Sequence, residues 1–427
     1  MKAMLDLVAR HRAGEAVGIY SVCSAQPLVL EATLAHAKRT SGLALIEATS
    51  NQVNQDGGYT GMRPAGFRDL VYSLADAVGL ARDRVLLGGD HLGPNAWQSL
   101  PPSEAMQKAA VMVAEYVTAG FRKIHLDCSM ACAGDPAALG DSLIAERTAL
   151  LCAATEAAWR DAGGEPPVYI IGSEVPVPGG AHESLTELAV TEPAAALATI
   201  EAHRRVFLAH GLEAAWTRVV GLVVQPGVEF DHDRVIDYVP AKAVALSRCI
   251  EAVPNLVYEA HSTDYQTPSC LAALVRDHYA ILKVGPGVTY ALREALWALD
   301  DIRREQLGSS SGPGLREAVL AVMHAHPGHW RKYYEASGQA LDLQLQYSLS
   351  DRIRYYWPRP DVAAAIDRLF SAFDAGPPPL SLLSQYLPDG YRAVRDGAIP
   401  FSARALVMHH VESALAGYSR ACGLPTL

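Results

Sequence analysis

The chain has 427 residues, half of them hydrophobic, and a formal net charge of −10. That length supports an ample core and more chain than one ordinary domain needs. The acidic balance disfavours nucleic acid as a partner, which wants a basic face, while a few local cations can still hold one small anion. Seven scattered cysteines, an odd number, argue against a disulfide framework and for a reducing, cytoplasmic setting. Cys128 and Cys132 are the closest pair and lack thiol or imidazole partners at zinc-finger spacing. No stretch approaches the roughly 18 uninterrupted apolar residues of a membrane span, so no membrane partner is expected.

From the N-terminus, 1–15 reads as an amphipathic helix in which Lys2, Asp6, Arg10, His11 and Arg12 interrupt the apolar residues, unlike the core of a signal peptide. Short β-rich runs then alternate with longer Ala/Leu-rich helical patterns. Strands are predicted near 17–21, 43–48, 85–89, 122–127, 168–172, 219–224, 256–260 and 280–284. Helices are predicted near 27–39, 64–78, 103–119, 144–162, 192–209, 241–251, 268–277 and 289–304. This alternation is the signature of βα units around a parallel sheet. The expected fold class is therefore α/β, a (β/α)8 TIM barrel with a C-terminal helical extension. The barrel and its N-terminal helix are expected in 1–307. A Gly/Ser-rich linker follows at 308–314, and 315–427 reads as a helical domain packing on the barrel. The linker lacks the Gly-Lys-Ser/Thr ending of a P-loop. The aromatic and Arg-rich run 347–358 caps the barrel, contacts substrate or holds a partner subunit; its sequence does not choose among these.

The strand ends carry the chemistry. Ile46-Glu47, Gly89-Asp90-His91, His125-Leu126-Asp127, Gly172-Ser173-Glu174, Val224-Gln225, Glu259-Ala260-His261 and Leu282-Lys283 each set an ionisable or amide side chain where a strand stops. In a closed parallel barrel those ends share one face, where such enzymes build their sites. His91, His261 and Glu174, from three strands, form a candidate ligand set for a divalent metal, with Zn2+ favoured over Mn2+ or Mg2+. Asp90, Asp127, Glu47 and Glu259 are the candidate catalytic acids and bases. Ser129, two residues beyond Asp127, is placed to share a polyol. Lys283 and the following Gly285-Pro286-Gly287 sit where barrels often hold phosphate, although a plain tight turn explains the glycines equally well. Asn51 belongs to an amide-rich loop, 50–59, that suits either polyol binding or simple turn chemistry.

At these residues the chain resembles a known family. Tyr20-Ser21-Val22-Cys23-Ser24-Ala25, the run from Leu45 to Gln55, Gly89-Asp90-His91-Leu92-Gly93-Pro94-Asn95, Glu174-Val175-Pro176-Val177-Pro178-Gly179-Gly180, Val224-Gln225-Pro226-Gly227 and Tyr258-Glu259-Ala260-His261-Ser262-Thr263-Asp264 are similar to the Z subunit of class II tagatose-1,6-bisphosphate aldolase. The resemblance covers essentially the whole chain, including Ser350-Asp351-Arg352. It implies Ser21, Gln225 and Arg352 as substrate contacts beside Asn51, Ser129 and Lys283. It also implies Asp90 as acid/base beside a zinc-binding His91, with His261 as a second ligand. Glu174 stands where those aldolases carry a further His. Members have been described as a non-catalytic subunit stabilising an aldolase Y subunit, as a tagatose 6-phosphate kinase, and as D-tagatose 6-phosphate 4-epimerases in galactitol and tagatose catabolism. A Y subunit or a second copy of the chain are both open as protein partners.

Carbon 4 of a 2-ketose is not adjacent to the carbonyl, so its hydrogen is not acidic enough for direct removal. Without a Gly-x-Gly-x-x-Gly dinucleotide turn or a P-loop, the sequence favours inversion by reversible C3–C4 cleavage over transient oxidation, and disfavours the kinase. The expected activity is a metal-dependent conversion of the sugar phosphate D-tagatose 6-phosphate to D-fructose 6-phosphate. The alternative is a stabilising subunit that has lost turnover.

Overall fold

A computed structural model describes residues 1–173, 188–308 and 312–425. Its strands are β1 (Ile19–Cys23), β2 (Ala44–Thr49), β3 (Val85–Leu92), β4 (Lys123–Leu126), β5 (Val168–Ile171), β6 (Val219–Val223), β7 (Glu229–Phe230), β8 (Val235–Ile236), β9 (Val257–Ala260) and β10 (Ile281–Val284). Eight of them close into a parallel barrel in the order β1-β2-β3-β4-β5-β6-β9-β10, with β10 pairing back onto β1. The fold is a (β/α)8 barrel with a helical C-terminal part. The short antiparallel hairpin β7-β8 is an insertion after β6 that alternation alone does not announce.

β1 begins two residues later than the apolar run suggests. Val17 offers its carbonyl to the His11 Nδ1 at 2.7 Å instead of to a strand partner. His11 belongs to the N-terminal helix Lys2–Arg12, which closes the floor of the barrel. Met1, Met4 and Val8 join Ile19, Leu45, Leu86, Val168, Ile170, Val257 and Ile281 in one apolar cluster inside the strands. A larger cluster joins the outer strand faces to the surrounding helices and runs on into the C-terminal part. There the last helix, Ala403–Ala421, packs against Pro27–Arg39, Pro268–Arg276 and Pro286–Leu307. Tyr418 donates its hydroxyl to the Thr263 carbonyl at 2.7 Å, and His36 meets the Ser419 hydroxyl at 2.6 Å. The C-terminal helices thus brace the strand-end loops directly.

Strand alternation puts Leu45, Glu47 and Thr49 of β2 on one inward face, rising from floor to mouth. Above the apolar floor the interior turns ionic. Lys123 of β4 is fully buried with its Nζ 2.6 Å from Glu47 and 2.6 Å from Glu259, both also fully buried. Gly88 lies between them in register, paired with Glu47 on one side and Lys123 on the other. A Cβ there would come 2.5 Å from Glu47 Oε1. Gly88 is thus the gap through which the ion pair crosses β3.

A buried cation shared by two buried acids cannot be removed cheaply, because both acids are then left uncompensated. Lys123→Met should destabilise the fold by about 3–5 kcal/mol in urea unfolding. A variant within 1 kcal/mol of the parent, on the order of a surface pair, would show that the triad carries no weight.

Candidate active site

The mouth is built where β3 departs from regular geometry. In a regular strand Asp90 and His91 would point to opposite faces. Here the β3–β4 register shifts between Gly89 and Leu92, and His91 takes a positive φ of 47°. The irregularity turns both side chains into the barrel, as bulges next to active sites do. Gly93 then passes so close to β4 that a Cβ would sit 1.7 Å from the Asp127 carbonyl oxygen.

Three imidazoles meet above the ion pairs. His91 Nδ1 lies 2.6 Å from Asp127 Oδ2, His261 Nε2 lies 2.8 Å from Glu259 Oε1, and His125 Nε2 lies 2.9 Å from the Gly172 carbonyl. Each acceptor lacks a proton, so each of these nitrogens is the donor. The other ring nitrogens converge. His91 Nε2 and His261 Nδ1 are 3.0 Å apart, and His125 Nδ1 is 3.1 Å from Asp90 Oδ1. One ligand atom from each of Asp90, His91, His125 and His261 lies within 4.8 Å of every other. His125 Nδ1 also accepts the His91 backbone amide, at 3.2 Å, while the inner lone pairs of His91 and His261 face one another; outer N–H groups fixed by carboxylate or carbonyl are what a bound metal requires of its supporting shell. Without a cation, two neutral imidazoles 3.0 Å apart need a proton between them. Their tendencies fit that need. Burial opposes charge on His91, but Asp90 and Asp127 outweigh it and hold its pKa above the ordinary value. Burial pushes His261 down to about 3. The donor set suits a divalent ion with N and O preferences.

Asp90 is the pivot. Burial opposes its ionisation, but Lys283 and His91 hold its carboxyl well below the usual range. Lys283 Nζ is 2.8 Å from Asp90 Oδ1 and also pairs with Glu47. Among the described residues Oδ2 of Asp90 meets only the Cys23 thiol, at 3.4 Å, and burial raises that thiol well above its ordinary pKa, so it stays protonated. Asp127 is more committed: its second oxygen accepts both the Ser129 hydroxyl, at 2.7 Å, and the Ser129 amide, at 3.0 Å.

A cavity opens over this cluster at the barrel mouth. Asp90, His91, His261, Lys283 and Asn51 line it, together with Cys23, Gln52, Tyr59, Asp264, Arg354 and Tyr355. Residues 4–423 match the family described as D-tagatose-1,6-bisphosphate aldolase subunit GatZ/KbaZ-like. The chain belongs to that family. It is similar to the crystal structure of a probable tagatose 6 phosphate kinase from Sinorhizobium meliloti 1021, with 49% identity, 95% of this chain and 100% of that chain covered, and a TM-score of 0.88. The YdjI aldolase from Escherichia coli K12 and the fructose-bisphosphate aldolase from Campylobacter jejuni align at TM-scores of 0.40 and 0.41 with 10% and 15% identity. These alignments cover 87% and 86% of this chain, and 98% and 92% of theirs. Likeness at that level carries no argument about the site.

In this member of the GatZ/KbaZ-like family the remaining sequence-named residues are distributed unevenly. Glu47 and Glu259 lie beneath the mouth rather than across it. Ser21 faces the interior of β1 opposite Lys283 in register, fully buried. Asp127 and Ser129 stand behind His91, and Ser129 also meets the Ser173 hydroxyl at 2.9 Å. Gln225 spends its carbonyl oxygen on the amides of Gly227 and Val228, at 2.8 and 2.9 Å, shaping a turn. Arg352 stacks on the Tyr333 ring at 3.3 Å and is not part of the cavity lining, where Arg354 stands instead. Glu174 lies outside the described residues. Sequence reasoning passed over His125 as a ligand, although the alternation Lys123, His125, Asp127 puts it on the inward face.

Behind the lining residue Phe230, Glu229 is fully buried and accepts the Phe230 amide at 3.0 Å. Burial raises its carboxyl from 4.5 to about 7, against the lowering effect of hydrogen bonds from Phe230 and Ser262. A raised folded-state pKa contributes stability that is complete below the unfolded value and is lost as pH rises through the folded one. Glu229→Gln, which cannot ionise, should therefore gain about 1–3 kcal/mol over the parent at high pH, with the gap closing toward acid. Urea unfolding at alkaline and mildly acidic pH reads this directly; a gap independent of pH would contradict it.

Proposed function

We propose that this chain is a metal-dependent ketose-phosphate 4-epimerase that works by reversible cleavage of the C3–C4 bond, interconverting D-tagatose 6-phosphate and D-fructose 6-phosphate. The observation that carries the reading is the convergence of His91, His125 and His261 with Asp90 at the base of the cavity in the barrel mouth. These residues would hold the ion, with Zn2+ favoured over Mn2+ or Mg2+. Glu174, the third ligand implied by the sequence, remains a candidate beside them. When bound, the ion supplies Lewis-acid polarisation of the ketose oxygens at C2 and C3.

The chain's own groups handle the protons. Asp90 lines the cavity, is ionised, and has one oxygen engaged only by a thiol, so it is the proton acceptor for the C4 hydroxyl. As that proton leaves, the C4 oxygen forms a carbonyl and the C3–C4 bond breaks. Its electron pair remains on the three-carbon ketone fragment as an enediolate. The aldehyde fragment turns its other face, C3 attacks it, and Asp90 returns the proton to the new C4 hydroxyl. Lys283 keeps Asp90 charged and placed. Asp127 and Glu259 orient His91 and His261, and Glu47 completes the charge chain through Lys283 and Lys123. Asn51, in the cavity lining, is offered as a hydroxyl contact at the rim.

The family description as an aldolase subunit favours a second reading, in which the chain stabilises a separate catalytic Y-type partner. A kinase is disfavoured by the absence of a P-loop from the sequence. The purified chain alone, supplied with Zn2+, Mn2+ or Mg2+, should convert D-tagatose 6-phosphate to D-fructose 6-phosphate, and Asp90→Asn should lower kcat by about 100-fold or more. No turnover with any of the three ions, together with stabilisation of a Y-type aldolase, would replace the enzyme reading with the subunit one.

A further inference from the structure

A phosphate in a barrel of this kind commonly sits on the turn after its last strands and on the N-terminus of the following helix. In this chain that position is filled from within. Asp264 Oδ1 accepts the amides of Gly285 and Gly287, at 2.9 and 2.7 Å. A carboxylate seated on those N–H groups uses them up and repels a second anion, so a charged substrate end has to be held elsewhere.

Among the described residues two Lys or Arg side chains line the cavity, Lys283 and Arg354. Lys283 is committed to Glu47 and Asp90. Arg354 is paired with no acid among the described residues. Its guanidinium donates to the Ser350 carbonyl, to the Asp351 carbonyl at 3.1 Å and to the Tyr355 hydroxyl at 3.2 Å, all neutral acceptors. Asp264 and Asp351 feel its charge only at longer range. The segment that carries it is fixed to the barrel rather than loose. Asp351 takes a positive φ of 46° and receives the hydroxyl of Thr289, from the helix Pro286–Leu307. Tyr265, just beyond β9, donates to the Leu349 carbonyl at 2.6 Å. Tyr355 packs edge-on against Tyr59, ring centres 4.7 Å apart, so two phenols stand beside the guanidinium at the rim.

We propose that Arg354, flanked by Tyr59 and Tyr355, is the subsite for the phosphate monoester of the substrate, supplied by the C-terminal segment in place of the barrel's own last turn. Arginine suits the task because its planar fork matches the phosphate oxygens in pairs. The C-terminal part is then a component of the substrate site as well as a brace for the loops. The proposal rests on the ketose reading for the reacting end of the ligand, and on Arg354 alone for the charged end.

The test uses ligands that cannot react: D-glucitol 6-phosphate, D-glucitol and D-gluconate, titrated calorimetrically into the Zn2+-supplied chain. The phosphate ester should bind about 10- to 100-fold more tightly than the free hexitol, the range expected of charge-assisted hydrogen bonds. Arg354→Gln should abolish that preference, and Arg354→Lys, which keeps the charge, should restore part of it. Hexitol binding should stay within about threefold of the parent in both variants, which also reports an intact cavity. A preference that survives in Arg354→Gln, or is absent from the parent, overturns the assignment. Gluconate binding as tightly as the phosphate ester overturns the choice of phosphate. None of these readouts needs turnover, so failure of the epimerase reading would appear separately, in the activity assay.

Discussion

The whole site hangs on a chain of alternating buried charges. It runs from Glu259 to Lys123, Glu47, Lys283 and Asp90, drawing one residue from each of five strands. None of these groups could remain charged alone in a barrel interior; each is tolerable because its neighbours carry the opposite sign. Both ends terminate on imidazoles: Glu259 fixes His261, and Asp90 faces His125. With Asp127 behind His91, the interlinked carboxylates exceed the ammonium groups by two. A divalent cation among the inner nitrogens would balance that excess. The residues that orient the imidazoles are thus the ones whose charge such an ion would offset.

Backbone strain accompanies the charges at this face. His91 and Ser262, on opposite sides of the mouth, both hold left-handed conformations that non-glycine residues usually avoid, as does Asp351 above it. Such conformations cost of order 1–3 kcal/mol each and persist where the surroundings over-determine them. At His91 the return is specific: two successive side chains enter one interior, which a regular strand cannot do.

Much of this was legible in the chain. The eight strands and their acidic or imidazole ends follow from short β-rich apolar runs, alternating with helical patterns, that each stop at a polar residue, and Asp90, His91 and His261 do line one cavity. Depth was harder to read. Glu47 and Glu259 stand inside their strands rather than beyond them, so the same polar-end pattern describes buried struts and exposed rim groups alike. His125 was hidden because an inward-facing imidazole between Ile124 and Leu126 looks like a satisfied core residue. The choice between Arg352 and Arg354 depends on a short 3-10 turn, over which two positions rotate a side chain from a tyrosine face into the cavity. The closure of the glycine turn by Asp264 joins residues 21 and 23 positions apart, a contact that no local pattern encodes.

The most direct test is a crystal of the chain soaked in Zn2+ and measured for anomalous scattering. One strong peak should appear about 2.0–2.2 Å from the inner nitrogens of His91 and His261, with His125 or Asp90 completing the shell. Ordered His91, His125 and His261 rings with no peak between them, or a peak only at surface acids, would contradict the account.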